Sequence, residues 1–314
     1  MLSNTRVKIA ITAVIAIAAL ALAIGCGGGD TSSGDPDEIP TLDLTVGSST
    51  FSEPWILSEM VKIFLEDELG HNVTHTINVQ PDTTHAAMVA GDMDFYTSWT
   101  GTQFTGILEM EVTEEWRDRE KVFDYVYEEF QERYNQTWFP PLGFNNTYAI
   151  AVQREFAEEH NLQKASELVD LAPDMTIATD TTFQERIGDG FDDMAAHYGF
   201  EFQDVVGMSY GILYRAVGEG DVDAAVAYST DGRVIAMDLV ILEDDLNFFP
   251  PYDGAIVARN EVLEQDPRIE ETLSVMWGAI DEETMASLNA AVDVDEREFE
   301  DVAREFMVEQ GWIE

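Results

Sequence analysis

Two clusters of prolines and aromatic residues, Phe139-Pro140-Pro141-Leu142-Gly143-Phe144 and Phe248-Phe249-Pro250-Pro251-Tyr252, restrict the fold of this chain more than any other feature. Proline fixes φ and donates no N–H, so neither cluster continues a helix or a central strand. Around them, short apolar runs alternate with amphipathic stretches. A strand is expected at about 42–47, a helix over 53–69 with Trp55, Met60, Phe64 and Leu65 among its apolar positions, a strand at 73–79, a helix at 82–90 and a short run at 93–96. The middle segment repeats the pattern, with strands at 148–152, 175–178, 202–207 and 224–228 and helices near Ser166, near Asp192 and over 210–217. Such alternation predicts an α/β fold with largely parallel sheets. From Glu261 onward the chain reads as mostly helical, and its last helix carries Phe299, Val302, Ala303, Phe306 and Met307 on one face.

About 270 residues follow the N-terminal tail, which suggests two domains. A chain that leaves one lobe at the first cluster and returns at the second makes a two-lobed clamp. Lobe I is expected to hold 42–143 plus 253–314, and lobe II 144–252, with the ligand in the interdomain cleft at the carboxyl ends of the strands.

The first residues bear on the compartment. Arg6 and Lys8 precede an apolar run from Ile9 to Leu22 that ends in Leu22-Ala23-Ile24-Gly25-Cys26. This is the pattern of a signal peptide over 1–26 with a lipobox-like end, and an uncleaved membrane anchor is the alternative. Cys26 is the only cysteine, so a mature exported chain has no internal disulfide, and lipidation of this thiol is expected. The Gly-, Asp-, Ser-, Thr- and Pro-rich stretch over 27–41 reads as a flexible tether. The chain is therefore expected on the extracellular face of the membrane, held by a lipid anchor.

The formal charge is −46, from 62 acidic and 16 basic residues, while 45% of residues are hydrophobic. This composition belongs to a folded protein and not to an acidic disordered tail. Acid blocks such as Glu66-Asp67-Glu68, Glu128-Glu129 and Asp281-Glu282-Glu283 are interleaved with apolar positions at helical spacing and read as solvated faces. Self-repulsion at this density opposes compaction in dilute buffer, whereas salt near 1 M shortens the Debye length to about 3 Å. A halophilic source follows. Nucleic acid is excluded as a partner, since phosphate binding needs a basic face.

Catalysis finds little support in the residues. There is no Gly-x-Ser-x-Gly elbow and no glycine-rich phosphate loop after a strand, so no cofactor and no enzyme activity are expected. His71 and His75 share an i, i+4 spacing, with His85 further on, but the intervening Asn72-Val73-Thr74 leads into a strand. Surface histidines are expected there, and no metal. Asp189, Asp192 and Asp193 have the look of calcium ligands, yet acid clusters arise by default in so acidic a chain. Three glycosylation sequons begin at Asn72, Asn135 and Asn145, and Asn145 is expected to be structural because it adjoins the proposed cleft.

The stronger signal is aromatic. Tyr96-Thr97-Ser98-Trp99-Thr100-Gly101-Thr102 places rings and hydroxyls where a strand hands over to a helix. Rings offer a negative π face to a cation that cannot donate hydrogen bonds, and hydroxyls and N–H groups serve an anion. Tyr148, Tyr228 and Tyr252 likewise sit at strand ends or crossings beside small or polar neighbours.

Together, Gly47-Ser48-Ser49-Thr50-Phe51-Ser52-Glu53, the Tyr96–Thr102 motif, Phe144-Asn145-Asn146-Thr147-Tyr148, Ala227-Tyr228-Ser229-Thr230-Asp231-Gly232 and the second proline cluster resemble the substrate-binding proteins of osmoprotectant ABC importers, the glycine betaine, choline and proline betaine group, here of a haloarchaeal lipoprotein type. The resemblance runs from Leu42 to nearly the C-terminus. It implies the two-lobed periplasmic-binding-protein type II (Venus flytrap) fold and a box of rings around a quaternary ammonium. It assigns the box to Trp99, Tyr148, Tyr228 and Tyr252, and the ligand carboxylate to Thr102 and Arg186. Ser49 stands where the family often has a lysine, and the Arg-x-Asp-Gly pattern is lengthened to Arg186-Ile187-Gly188-Asp189-Gly190. These departures keep choline, which has no carboxylate, beside glycine betaine. The implied partners are an ABC permease and its ATPase, with the binding protein a monomer. Docking on a chemotaxis transducer is the alternative, and turnover of a choline-type compound the remaining one.

Overall fold

The computed structural model describes residues 39–185 and 190–314. The expected signal peptide and Cys26 lie outside the described residues, as do Arg186 and Asp189. Among the described residues no helix is long and apolar enough to cross a membrane.

Among the described residues ten strands form two five-stranded sheets: β1 (Asp43–Gly47), β2 (Asn72–Thr76), β3 (Phe95–Trp99), β4 (Gln136–Trp138), β5 (Tyr148–Gln153), β6 (Thr176–Thr179), β7 (Asp204–Gly207), β8 (Ala224–Tyr228), β9 (Leu239–Leu242) and β10 (Gly254–Arg259). The first sheet has the order β2-β1-β3-β10-β4 and the second β7-β6-β8-β5-β9. Each is mixed, which corrects the expectation of largely parallel sheets. β1 runs parallel to β2 and β3, but β10 is antiparallel to β3 and β4. In the second sheet β6 runs parallel to β7 and β8, while β5 is antiparallel to β8 and β9.

The reversed strands are the two that the chain enters after a proline cluster. β5 opens the second sheet after Phe139–Phe144, and β10 re-enters the first after Phe248–Tyr252. A strand entered from the cleft begins at the edge where its antiparallel neighbours end. The amino ends of β5 and β10 therefore lie beside the carboxyl ends of β8 and β3, with Tyr148 opposite Tyr228 and Gly254 opposite Trp99.

Period-2 alternation divides each sheet between two cores. On β10, Ile256 and Ala258 join one cluster with Val46, Phe95 and Ile56, and Ala255 and Val257 join another with Tyr96, Val126 and Trp138. On the second sheet, Ile150, Val152 and Val226 face one cluster and Ala151, Ala225 and Ala227 the other. Both sheets are thus covered on both faces, as parallel trios require. The C-terminal helices Glu282–Asp293 and Phe299–Glu309 pack on Ser52–Ile63 through Met285, Leu288, Val302 and Phe306.

His71, His75 and His85 are not free on the surface. His71 is buried: its Nδ1 accepts the Leu42 N–H at 3.2 Å and its Nε2–H donates to Asp266 at 3.0 Å. His75 lies between Ser48 and Glu59, and His85 against the rings of Phe130 and Tyr134. A partner distant in sequence is what draws each imidazole inward.

Burial works against the charge of Asp266, but Arg268, which holds it through Nε at 2.9 Å and a backbone N–H at 3.0 Å, together with His71 keeps its pKa below the usual carboxylate range. A depressed carboxylate contributes stability that is present above its unfolded pKa, about 3.9, and lost as pH falls through the lower folded value. Asp266→Asn is therefore expected to destabilise by about 3 kcal/mol at neutral pH, since it leaves buried donors short of their acceptor. Denaturation at pH 7 and near pH 2 checks this: the gap between variant and parent closes in acid.

Candidate functional site

A cavity of 620 Å³ opens between the sheets, lined in part by Ser49, Trp99, Thr102, Tyr148, Tyr228 and Tyr252. Six of the seven ligand residues expected from the sequence thus share one wall system, and the seventh, Arg186, lies outside the described residues. Asp192 and Asp193 sit in the first turn of the Phe191–Tyr198 helix, away from this lining.

The rings arrive as pairs from opposite sheets. Tyr148 and Tyr228, cross-strand partners, stack with centroids 4.9 Å apart and an interplanar angle of 25°, and the Tyr228 hydroxyl donates to that of Tyr148 at 3.3 Å. Phe183 backs Tyr148 at 4.7 Å. On the other side Trp99 stacks on Phe51 at 5.2 Å and 29°. Phe51 also lines the cavity and is 40% exposed. It was there to be read in the Gly47–Glu53 motif, as an apolar ring left in a turn just before a helix.

Tyr252 is fixed by two neighbours. Its backbone N–H donates to Asn145 Oδ1 at 2.6 Å, while the Asn145 carbonyl accepts from the Ser229 hydroxyl at 2.6 Å. Asn145 is a structural asparagine. A Cβ on Gly101 would stand 2.8 Å from Cδ1 and Cε1 of the Tyr252 ring and 2.6 Å from the Pro251 carbonyl oxygen. The glycine in Thr100-Gly101-Thr102 therefore lets this ring approach the helix start.

Polar residues complete the lining: Ser52, Glu53, Asn146, Thr147, Thr230, Asp231, Arg233, Asn289 and Asp293. Glu53 is 0% exposed and receives Trp99 Nε1–H at 3.0 Å and Asn146 Nδ2–H at 2.9 Å on Oε1, and Asn289 Nδ2–H at 3.0 Å on Oε2. Burial raises its pKa, although these donors and Thr230 pull it down. Burial, with Asp231 nearby, also raises that of Asp293, which accepts the Ser52 hydroxyl at 2.7 Å. Arg233 is engaged by Asp231 through Nε at 2.8 Å and lies over the Tyr214 ring at 4.3 Å. Among the described residues, three carboxyl groups thus face one guanidinium already committed to a carboxylate, a field that favours a cation.

A second hollow of 620 Å³ shares Thr147 and Tyr148 with the first, and Tyr148 alone of the expected ligand residues among its described lining. Its guanidiniums are engaged: Arg117 with the Phe248 carbonyl, Arg119 with Asp253 and Arg154 with Asp238. Ser48, His75 and Glu59 follow the serine–histidine–acid order of a hydrolase, with 2.5 Å and 2.8 Å between successive groups. Ser48 is 1% exposed and none of the three lines the cavity, so no substrate carbonyl reaches the hydroxyl.

Comparison with known proteins agrees with this geometry. Residues 43–309 match the model of the substrate binding domain of the ABC-type glycine betaine transport system. The carnitine transport binding protein OpuCC of Listeria monocytogenes is 34% identical over 273 residues, 86% of this chain and 88% of that protein. The glycine-betaine-binding protein of Pseudomonas aeruginosa is 31% identical over 282 residues, 86% and 89% of the two chains. A crystal structure of a glycine betaine/carnitine/choline ABC transporter superposes with a TM-score of 0.81 at 33% identity, over 86% of this chain and 99% of that one. The fold is the two-lobed type II periplasmic-binding-protein fold, and the chain belongs to the family of substrate-binding domains of ABC-type glycine betaine transport systems, which are binding proteins and not enzymes.

Proposed function

We propose that this protein captures glycine betaine or a related quaternary ammonium solute outside the cytoplasm and hands it to an ABC permease driven by its ATPase. The observation that carries this reading is the meeting, in one cavity, of Trp99, Phe51 and Tyr252 from the side of the first sheet with Tyr148 and Tyr228 from the second. Each well-placed ring contributes about 0.5 to 2 kcal/mol toward a trimethylammonium group, so a few rings supply much of the roughly 8 kcal/mol of micromolar binding. Lobe I is assigned 42–143 plus 253–314 and lobe II 144–252. The N-terminal segment serves as signal peptide, Cys26 as the lipid anchor on the extracellular face, and the acidic surface as an adaptation to high salt.

The acidic lining and Ser49 in the place of a lysine favour a second reading, a preference for choline. A ligand carboxylate would rest on Thr102 and Arg186. Calorimetric titration of the tether-truncated protein in molar salt with glycine betaine, choline, carnitine and proline betaine tests both readings. Micromolar binding of at least one is expected, and none at all would overturn the assignment. Arg186→Ala is expected to weaken the carboxylate-bearing ligands at least tenfold more than choline; equal weakening removes the carboxylate role.

A further inference from the structure

Glu53 is a carboxylate at 0% exposure whose partners come from four separate parts of the fold. Trp99 ends β3 in the first sheet, Asn146 belongs to the outgoing crossing, Asn289 to the Glu282–Asp293 helix, and Thr230 follows β8 of the second sheet. Asn289 extends the link, because its amide also donates to the Thr230 carbonyl at 2.8 Å. A carboxylate offers about four acceptor sites, and here four donors take them. Left without donors, the same group in so dry a place would be strongly destabilising.

The donors do not all belong to one lobe. When the lobes part, Thr230 leaves with the second sheet, and the Asn289 amide loses its carbonyl there at the same time. Full satisfaction of Glu53 therefore exists only with the lobes together. The indole N–H of Trp99 is held by the same oxygen that Asn146 holds, so the orientation of the ring and the state of the hinge are set at one atom.

We propose that Glu53 is a positioning residue that couples closure of the two lobes to the orientation of the Trp99 ring, so that the ring is presented to a cation only when the lobes have met. Glu53 borders the cavity but is 0% exposed, its oxygens turned to these donors. It acts from behind the ring, and an acceptor on the indole N–H also enriches the π face that the cation meets. This inference rests on the proposed quaternary ammonium site.

Glu53→Gln keeps the volume but turns an NH2 toward donors that need an acceptor. Trp99→Phe removes the same hydrogen bond from the other end and keeps a ring. Calorimetry with glycine betaine and choline, and small-angle X-ray scattering without ligand, are applied to both variants and to the double variant. Glu53→Gln is expected to raise Kd at least tenfold, and the double variant to do little worse than the weaker single one, since both break one coupling. The radius of gyration of ligand-free Glu53→Gln should exceed that of the parent. A merely structural role predicts a lower Tm with parental Kd and radius, and this result, or additive effects in the double variant, overturns the proposal. If Glu53→Gln does not fold, Trp99→Phe decides alone, through the same shift in radius. If the parent binds neither ligand, the assigned function fails while the scattering still tests the coupling.

Discussion

Trp99→Ala is expected to weaken binding of every quaternary ammonium ligand by at least a hundredfold. Two losses combine. The indole is the strongest of the rings for a cation, worth up to about 2 kcal/mol where it is desolvated, and Trp99 is only 7% exposed at the cavity wall. Its removal also takes away apolar surface that the ligand's methyl groups bury on binding, worth about 0.8 kcal/mol per methyl-sized group. A total near 3 kcal/mol corresponds to about two decades in Kd. Phe51, left without its stacking partner, offers no replacement, because it is already 40% exposed and lacks an N–H to fix it. Calorimetry with glycine betaine and choline reads the effect, and comparable losses for both are expected, since the ring meets the ammonium they share. A loss confined to the ligand with a carboxylate would place Trp99 on the wrong half of the zwitterion.

The ring positions were legible in the sequence because a strand that ends in an aromatic residue followed by small hydroxyl-bearing residues is poor core material. Trp99 and Tyr228 carry that signature, Tyr148 and Tyr252 stand instead where a crossing enters a strand, and all four line the cavity. What periodicity does not carry is strand direction. β10 and β5 alternate as any buried strand does, and only the proline crossing before each makes them run backward through their sheets. That reversal is also what brings Tyr148 and Gly254 to the edge where Tyr228 and Trp99 end.

Glu53 and His71 were hidden for a different reason. In a chain with 62 acidic residues, a glutamate at a helix start reads as one more dipole partner. Nothing local marks it as the acid whose donors come from Asn146, Asn289 and Thr230. His71 likewise meets its carboxylate 195 positions away. Burial of an ionisable group is a property of the assembled fold, and an acidic composition masks it.

Gly232→Ala tests whether the lobes must meet to hold a ligand, and its two expected effects have opposite signs. Gly232 begins the short Gly232–Ala236 helix on the second sheet's side and lies against the Glu282–Asp293 helix on the first. A Cβ there would stand 2.5 Å from Ala290 Cα and 2.8 Å from the Asn289 carbonyl carbon. These are backbone atoms, so no rotamer relieves the clash, and the helices must part by about 1 Å to reach ordinary contact. Alanine is otherwise welcome, for it restricts the unfolded chain by about 0.4 to 1 kcal/mol relative to glycine. Each lobe should therefore fold as well as before. Parting the helices draws Thr230 away from Asn289, whose amide reaches its carbonyl at 2.8 Å, and through Asn289 loosens Glu53 and the Trp99 ring. The expected result is a Tm within a few degrees of the parent in the absence of ligand, a larger radius of gyration, and affinity for glycine betaine or choline lowered at least tenfold. Parental affinity in this variant would mean that the cavity holds its ligand without the approach of these two helices, and that the interlobe contact is a consequence of packing and not a condition of binding.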